Sequence, residues 1–302
     1  MNKAIAFIGL GQMGGNMAAR LVEFGFTVSG YDLNPAARQN LVDAGGQAVG
    51  SIEQAVAGHD IVMTSLPDPS AVLATYLGKE GIVELATPGC LLIDLSTIDP
   101  DTMRHVGTKA KELKLRVVDC PVSGSPKDSR AGTLTIMMGG DEEDVRLAEP
   151  YLEALSTTRL FTGDVGSAKV VKIVNNMMAM GNVLIASEAF ALGVKAGVAP
   201  QLLYDVLSVS GGRSHHFVNR FKNALQGNFD PGFKIELGEK DLALGIGLGE
   251  MLNQPTPAAS IVRQLFSQAL GEGLRGRDIV ALLQMYQNWS SDTPNSIGET
   301  RQ

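Results

Sequence analysis

The stretch from Ala4 to Tyr31 limits the fold more than any other part of the chain. Ala4-Ile5-Ala6-Phe7-Ile8 reads as a buried strand, Gly9-Leu10-Gly11-Gln12-Met13-Gly14 closes it, and Met13, Met17, Leu21 and Phe24 then recur at the spacing of one buried helix face. A second apolar run, Thr27 to Tyr31, follows. Strand, helix and strand within ~30 residues make a βαβ unit, and such units demand a parallel sheet. Ile61 to Leu66, Leu91 to Leu95, Val117 to Cys120 and Leu134 to Met138 alternate with helical patterns in the same way.

After Gly163 the character changes. Ala168 to Val194 is rich in Ala and Met and has no turn cluster before Ala196-Gly197, which predicts a helix ~40 Å long at 1.5 Å per residue. Such a length is more apolar than one small domain needs, so part of it is expected to face a second subunit. Helical patterns near Gln201 to Val209, Ile235 to Leu252, Ala258 to Gly271 and Ile279 to Trp289 follow, separated by Gly211-Gly212, Asp230-Pro231-Gly232 and Pro255-Thr256-Pro257. The expected domains are 1–163 and 164–290, with a polar, disordered tail over 291–302. No solenoid repeat is found.

The glycine motif carries chemistry because of where it stands. Between a strand and a helix, Gly9 permits a tight turn, Gly11 lets a pyrophosphate approach the backbone, Gly14 brings helix and sheet together, and the helix N-terminus offers N–H donors. Asp32 follows the second strand, 23 residues after Gly9, where a carboxylate accepts both ribose hydroxyls and repels a 2′-phosphate. An ordinary glycine turn and a turn-forming Asp before Asn34-Pro35 are the plainer alternatives. Together the two features favour a dinucleotide, and NAD over NADP. The fold expected is therefore α/β, an N-terminal Rossmann dinucleotide-binding domain followed by an all-helical C-terminal domain, the two linked by a long helix.

Other strand ends point to the same sheet edge, where open α/β sheets bind ligands. Ser65-Leu66-Pro67 and Asp94-Leu95-Ser96-Thr97 finish apolar runs with small polar groups and are candidates for cofactor contact. In Asp119-Cys120-Pro121-Val122-Ser123-Gly124-Ser125, hydroxyls and loop N–H groups can form an anion-binding concavity suited to a carboxylate, with a simple Ser/Gly turn as the equal alternative. On the long helix, Lys172 and Asn176 share a face at i and i+4. Most helical lysines are solvated, but Ile173, Val174, Met177 and Met178 make this an apolar helix, and desolvation beside another cation would fit a lysine for proton transfer. Lys169 lies on the same side, and periodicity does not separate the two. Lys240 and Asp241 are either a contribution to the same pocket or an exposed ion pair.

Composition narrows the partners. Among 302 residues, 25 Lys and Arg against 32 Asp and Glu leave a net charge of −7, which supplies no broad basic surface for nucleic acid. No uninterrupted apolar run reaches the ~18 residues of a membrane span, and with the first strand starting at Ala4 no leader segment is expected. Cys90 and Cys120 form no metal or disulfide pattern, as expected of a cytoplasmic protein. His215-His216 point to different helix faces, and His59 and His105 lack ligand spacing, so no metal is expected.

In sequence, these motifs resemble the β-hydroxyacid dehydrogenases, the family of 3-hydroxyisobutyrate dehydrogenase and 2-hydroxy-3-oxopropionate (tartronate semialdehyde) reductase. Gly9 to Gly14 is similar to the family's cofactor fingerprint, Asp119 to Gly124 with Gly132-Thr133-Leu134 to its substrate loop, Gly166 to Asn176 to its catalytic helix, and Lys240-Asp241 to its late Lys-Asp motif. The resemblance implies Lys172 as catalytic acid/base. It implies Ser123, Gly124, Ser125, Asn176 and Lys240 at the substrate, and Gly9, Leu10, Gly11, Gln12, Met13, Gly14, Asp32, Ser65, Leu66, Pro67, Thr97, Lys240 and Asp241 at the cofactor. It further implies a homodimer or homotetramer and a small carboxylate substrate, a short 3-hydroxy acid or its semialdehyde. Ser125-Pro126-Lys127 resembles the reductase branch, while Lys169 stands where the family usually has an amide. A glyoxylate or succinic semialdehyde reductase is the alternative, disfavoured by Asp32. A 6-phosphogluconate dehydrogenase lacks support in so short a chain, and an imine reductase or a non-enzymatic NAD-binding protein would lack the lysine.

Overall fold

The computed structural model describes residues 4–289, so the tail expected from 291 onward lies outside the described residues. The chain divides into two compact units, one ending at Val174 and the other beginning at Asn175. That division falls inside a helix and later than the boundary expected after residue 163.

Among its described residues the first unit holds nine strands, β1 (Ala4–Ile8), β2 (Thr27–Tyr31), β3 (Gln47–Ala48), β4 (Ile61–Thr64), β5 (Leu91–Asp94), β6 (Arg116–Asp119), β7 (Val122–Ser123), β8 (Leu134–Gly139) and β9 (Ser156–Gly163). Its helices are α1 (Gln12–Glu23), α2 (Pro35–Asp43), α3 (Ile52–Val56), α4 (Pro69–Leu77), α5 (Ile82–Leu85), α6 (Pro100–Glu112), α7 (Pro126–Ala131) and α8 (Glu142–Leu152). The sheet order is β3-β2-β1-β4-β5-β6-β8-β7, with β9 on β8. Strands β1 to β6 are parallel, as the helical crossovers require.

The expected all-parallel pattern is corrected at the far edge. β8 runs antiparallel to β6 and β7, because the chain turns back over Ser123 to Gly132 on the short helix α7 with no crossover to the other end of the sheet. α8 then provides such a crossover, and β9 lies parallel to β8.

Alternation along the strands builds two cores. Ile5, Phe7, Met63 and Ile93 belong to one buried cluster, whereas Ala6, Ile8, Val62 and Leu92 belong to another, as expected when successive side chains leave opposite faces of a covered sheet. Cys90 and Cys120 are buried and unpaired; burial pushes the Cys90 thiol up to about 12, and burial raises Cys120 well above its ordinary value.

Helix α9 (Ser167–Lys195) begins in the first unit and continues into the second. By length and composition it is apolar enough to cross a membrane, with a mean hydropathy of 1.5 over its most apolar window, although polar residues interrupt every long apolar run. Val171, Val174, Met178, Ile185 and Leu192 form an exposed stripe along it.

The second unit is helical, with α10 (Pro200–Val209), a π-helical turn at Phe217–Phe221 leading into α11 (Lys222–Ala224), then α12 (Ile235–Met251), α13 (Pro257–Gly271) and α14 (Leu282–Trp289). Phe190, Phe217, Phe221 and Phe266 are fully or almost fully buried in its core, with the Phe217 and Phe221 rings 4.6 Å apart.

Candidate active site

Register fixes the first unit's functional edge. Ile8 is paired with Tyr31 on one side and Thr64 on the other, Thr64 with Asp94, and Asp94 with Asp119, so these five strand ends line up. Whatever follows each strand is thereby presented along one edge: Gly9 after β1, Asp32 after β2, Ser65 after β4, Ser96 and Thr97 after β5, and Ser123 a few residues beyond β6.

The glycine loop has separable reasons for its residues. Gly9 sits at φ +90°, and a Cβ there would stand 2.3 Å from the Ser65 carbonyl oxygen. A Cβ on Gly14 would stand 2.0 Å from the Gly9 carbonyl oxygen, whereas one on Gly11 would meet nothing within 4 Å. Gly14 therefore serves packing, and Gly11 keeps open the space in front of the α1 N-terminus. No side chain caps α1 and its first turn holds no acidic residue, so its N–H groups present positive potential without competition. Asp32 closes the loop, its Oδ2 accepting from Leu10 N at 2.7 Å and its Oδ1 from Asn34 N at 2.7 Å. Only partly buried, each oxygen keeps acceptor capacity for a diol. These residues fit a dinucleotide pyrophosphate and ribose.

At the substrate-loop motif, Gly124 takes φ +146°, a conformation side chains rarely adopt, and a Cβ would press on Leu134 at 2.6 Å. Ser123 ends β7. Ser125, expected at the substrate, is the N-cap of α7: its N and Oγ both donate to Asp128 Oδ2, at 2.7 and 2.6 Å, and its Oγ accepts from Asp128 N.

The two lysines of α9 prove unlike. Lys169 is completely buried, and its ammonium donates to Asp94 Oδ1 at 2.6 Å, Asp94 O at 3.0 Å and Ser96 O at 2.8 Å. All three of its hydrogens are thus committed within the protein. Asp94 Oδ2 accepts from Thr64 Oγ1 at 2.6 Å and Ser96 Oγ at 2.9 Å. Asp119 binds the start of the same helix through Gly166 N and Lys169 N, at 2.9 and 3.1 Å. Burial raises the Asp119 pKa, against the lowering influence of the Lys169 charge and these two N–H donors. Removing one member of a buried pair such as Asp94 and Lys169 costs about 3–5 kcal/mol, since the other is left charged and unsolvated. Lys172, almost one turn on, is also buried.

In the second unit Asp241 organises the remaining motif residues. Its Oδ2 accepts from Asn176 Nδ2 at 2.6 Å, and Lys240 Nζ lies 3.1 Å from its Oδ1. A carboxylate only accepts, so the amide end of Asn176 facing it is the NH2; Asn175 Nδ2 donates to Asn176 Oδ1 at 3.0 Å. The loop before α12 is anchored by Asp278, whose Oδ2 takes an ion pair from Arg220 and the N–H groups of Gly232 and Phe233.

Comparison with known proteins fits this arrangement. Residues 4–172 match the model described as the NAD binding domain of 6-phosphogluconate dehydrogenase, and residues 166–286 that described as the NAD-binding region of NADP-dependent 3-hydroxyisobutyrate dehydrogenase. The chain is 37% identical over 295 residues to 3-hydroxyisobutyrate dehydrogenase of Pseudomonas aeruginosa, covering 94% of this chain and 98% of that one. The chain belongs to the β-hydroxyacid dehydrogenase family.

This β-hydroxyacid dehydrogenase is also 34% identical to 2-(hydroxymethyl)glutarate dehydrogenase of Eubacterium barkeri, covering 94% of each chain. The solved Mycobacterium tuberculosis 3-hydroxyisobutyrate dehydrogenase with L-serine superposes at a TM-score of 0.87 and 32% identity, covering 94% of this chain and 99% of that one. The dehydrogenase is an enzyme with an NAD(P)-binding Rossmann domain and a helical C-terminal region. Sequence reasoning missed the partners of Lys169 in this β-hydroxyacid dehydrogenase; an apolar helix carrying an extra lysine, with an Asp at a buried strand end, was the available signal.

Proposed function

We propose that the enzyme interconverts a short 3-hydroxy acid and its semialdehyde with NAD, the pair being 2-hydroxy-3-oxopropionate and glycerate or the 3-hydroxyisobutyrate couple. The observation that carries this reading is that Lys169 is committed to Asp94 and Ser96, while Lys172, to which the family resemblance gives the acid/base role, is buried almost one turn further along the same helix. The dinucleotide, when bound at Gly9 to Gly14 and Asp32, supplies or accepts the hydride. In reduction the Lys172 ammonium gives a proton to the nascent alkoxide oxygen; in oxidation its neutral amine takes the hydroxyl proton. Ser123 and the N–H groups of the Gly124 loop bind the substrate carboxylate. Asn176 and Lys240, which the family resemblance assigns to the substrate, are each held by Asp241. Ser65, Leu66, Pro67 and Thr97 belong to the cofactor wall, whereas Ser125 we assign to the α7 cap.

Preference for NAD rests on the Asp32 carboxylate, which the Leu10 and Asn34 N–H groups hold at the end of β2. A 2′-phosphate brought there meets like charge. Glycerate, 3-hydroxyisobutyrate, serine, threonate and 4-hydroxybutyrate, with the semialdehydes in reverse, should be screened with both cofactors by NAD(P)H absorbance. Turnover is expected with a 3-hydroxy acid, and kcat/KM for NAD should exceed that for NADP by at least ~10-fold, equivalent to about 1.4 kcal/mol of discrimination. Turnover confined to glyoxylate or succinic semialdehyde with NADPH would overturn the reading.

The exposed apolar stripe of α9, from Val171 to Leu192, supports a homo-oligomer, and sedimentation is expected to give a dimer or tetramer rather than a monomer. A cytoplasmic site of action is part of the same proposal, supported by the two unpaired cysteines.

A further inference from the structure

We propose that the buried Asp94–Lys169 ion pair is a positioning device for Lys172, locking the first turn of α9 to the strand end that also builds the cofactor wall. The inference rests on Lys172 as the acid/base.

A continuous set of short contacts carries it, all within the first unit. Leu66 N donates to Ser96 Oγ at 2.9 Å, Ser96 Oγ donates to Asp94 Oδ2 at 2.9 Å, and Asp94 Oδ1 receives Lys169 Nζ at 2.6 Å. Leu66 and Ser96 stand in the two loops assigned to the cofactor, and Lys169 is three residues before Lys172 on one rigid helix. From the neighbouring strand, Asp119 holds Gly166 N and Lys169 N. Asp94 and Asp119 are register partners, so two adjacent strand ends grip the same helical turn, one through a side chain and the other through the backbone.

Core packing alone does not ask for this chemistry. A fully buried cation and anion, each 0% exposed, stabilise no more than well-packed apolar groups of similar volume. What the pair adds is direction. An ammonium with three acceptors, Asp94 Oδ1, Asp94 O and Ser96 O, has one orientation, and those acceptors all lie on the chain that runs directly into the cofactor loop. Proton and hydride transfer to one carbonyl need the acid and the cofactor placed together to within ~0.5 Å. The other titratable groups that face the pair are Asp119, Tyr76 and Cys120, all buried, with Tyr76 joined to Asp94 through Thr64, 2.8 Å away.

The test uses Lys169→Gln, Asp94→Asn, the double variant carrying both, and Lys172→Ala as reference, each assayed for kcat, NADH affinity by fluorescence, and melting temperature. Each single change is expected to lower kcat by ~10- to 100-fold through displacement of Lys172, while NADH affinity stays within ~3-fold. The double variant replaces the ion pair by two hydrogen-bonding amides and strands no charge, so its kcat should recover to within ~5-fold of wild type. Should the single variants be insoluble, the double variant and Ser96→Ala, neither of which leaves a buried unpaired charge, decide in the same way: Ser96→Ala should lower kcat ~3-fold or more without a matching loss of melting temperature. A Lys169→Gln enzyme with wild-type kcat, or a double variant no better than the poorer single, overturns the positioning role. An active Lys172→Ala enzyme instead overturns the proposed function, so the two failures are told apart.

Discussion

Lys172→Ala is expected to lower kcat by ~10²- to 10⁴-fold, the usual contribution of a general acid/base, while NADH binds within ~2-fold of wild type. The separation is physical. The pyrophosphate and ribose contacts assigned above lie in the Gly9–Gly14 loop and at Asp32, more than 130 residues before the lysine in the chain. The ammonium acts only where charge develops on the substrate oxygen, so its removal leaves cofactor affinity and takes away transition-state stabilisation. Small added amines should restore part of the rate, since they can enter the space vacated by the side chain. Stopped-flow measurement of the hydride step checks both statements, and an unaltered single-turnover rate would remove Lys172 from the chemistry.

The second large effect divides the glycines of the loop by their reasons for being glycine. Gly14→Ala places a methyl 2.0 Å from the Gly9 carbonyl oxygen and 3.0 Å from Ser65 Cβ, contacts relieved only by shifting backbone. Overpacking of this kind costs about 1–3 kcal/mol, so the apoenzyme should melt several degrees lower. Gly11→Ala meets nothing within 4 Å, and its apoenzyme should melt within ~2 °C of wild type. Its methyl instead projects where the pyrophosphate approaches the α1 N-terminus, and NADH affinity should fall by ~10- to 100-fold. Calorimetry of apo and NADH-bound protein reads both quantities. Unchanged NADH binding by Gly11→Ala would displace the dinucleotide from this loop.

Much of this architecture is legible in the amino-acid sequence. The alternation from Ala4 to Cys120 marked β1, β2, β4, β5 and β6, because strands covered on both faces read as continuous apolar runs. β3 has only Gln47 and Ala48, both exposed, and leaves no apolar signature. β9 carries Thr157, Thr158 and Arg159 and pairs on β8 with two register shifts, so its pattern is that of a polar sheet margin. At the site, the glycine loop and Asp32 could be read because the fingerprint lies within some thirty residues. The partner of Lys169 could not: Asp94 is 75 residues away, and Asn176 and Asp241 are 65 apart. Local spacing holds no record of contacts made only after the chain has folded. Ser125 is a different case: its hydroxyl suits an anion on paper, but Asp128 three residues on takes it in a capping box, a local pattern that Ser125-Pro126-Lys127-Asp128 carries in the sequence.

The state of the two sulfurs has a consequence for the enzyme under oxidative stress. Peroxide attacks thiolate, and burial, which leaves Cys90 and Cys120 almost without exposed surface, raises both thiols above their ordinary value and favours the protonated form. Sulfenic acid formation and glutathione capture at these two thiols are therefore disfavoured.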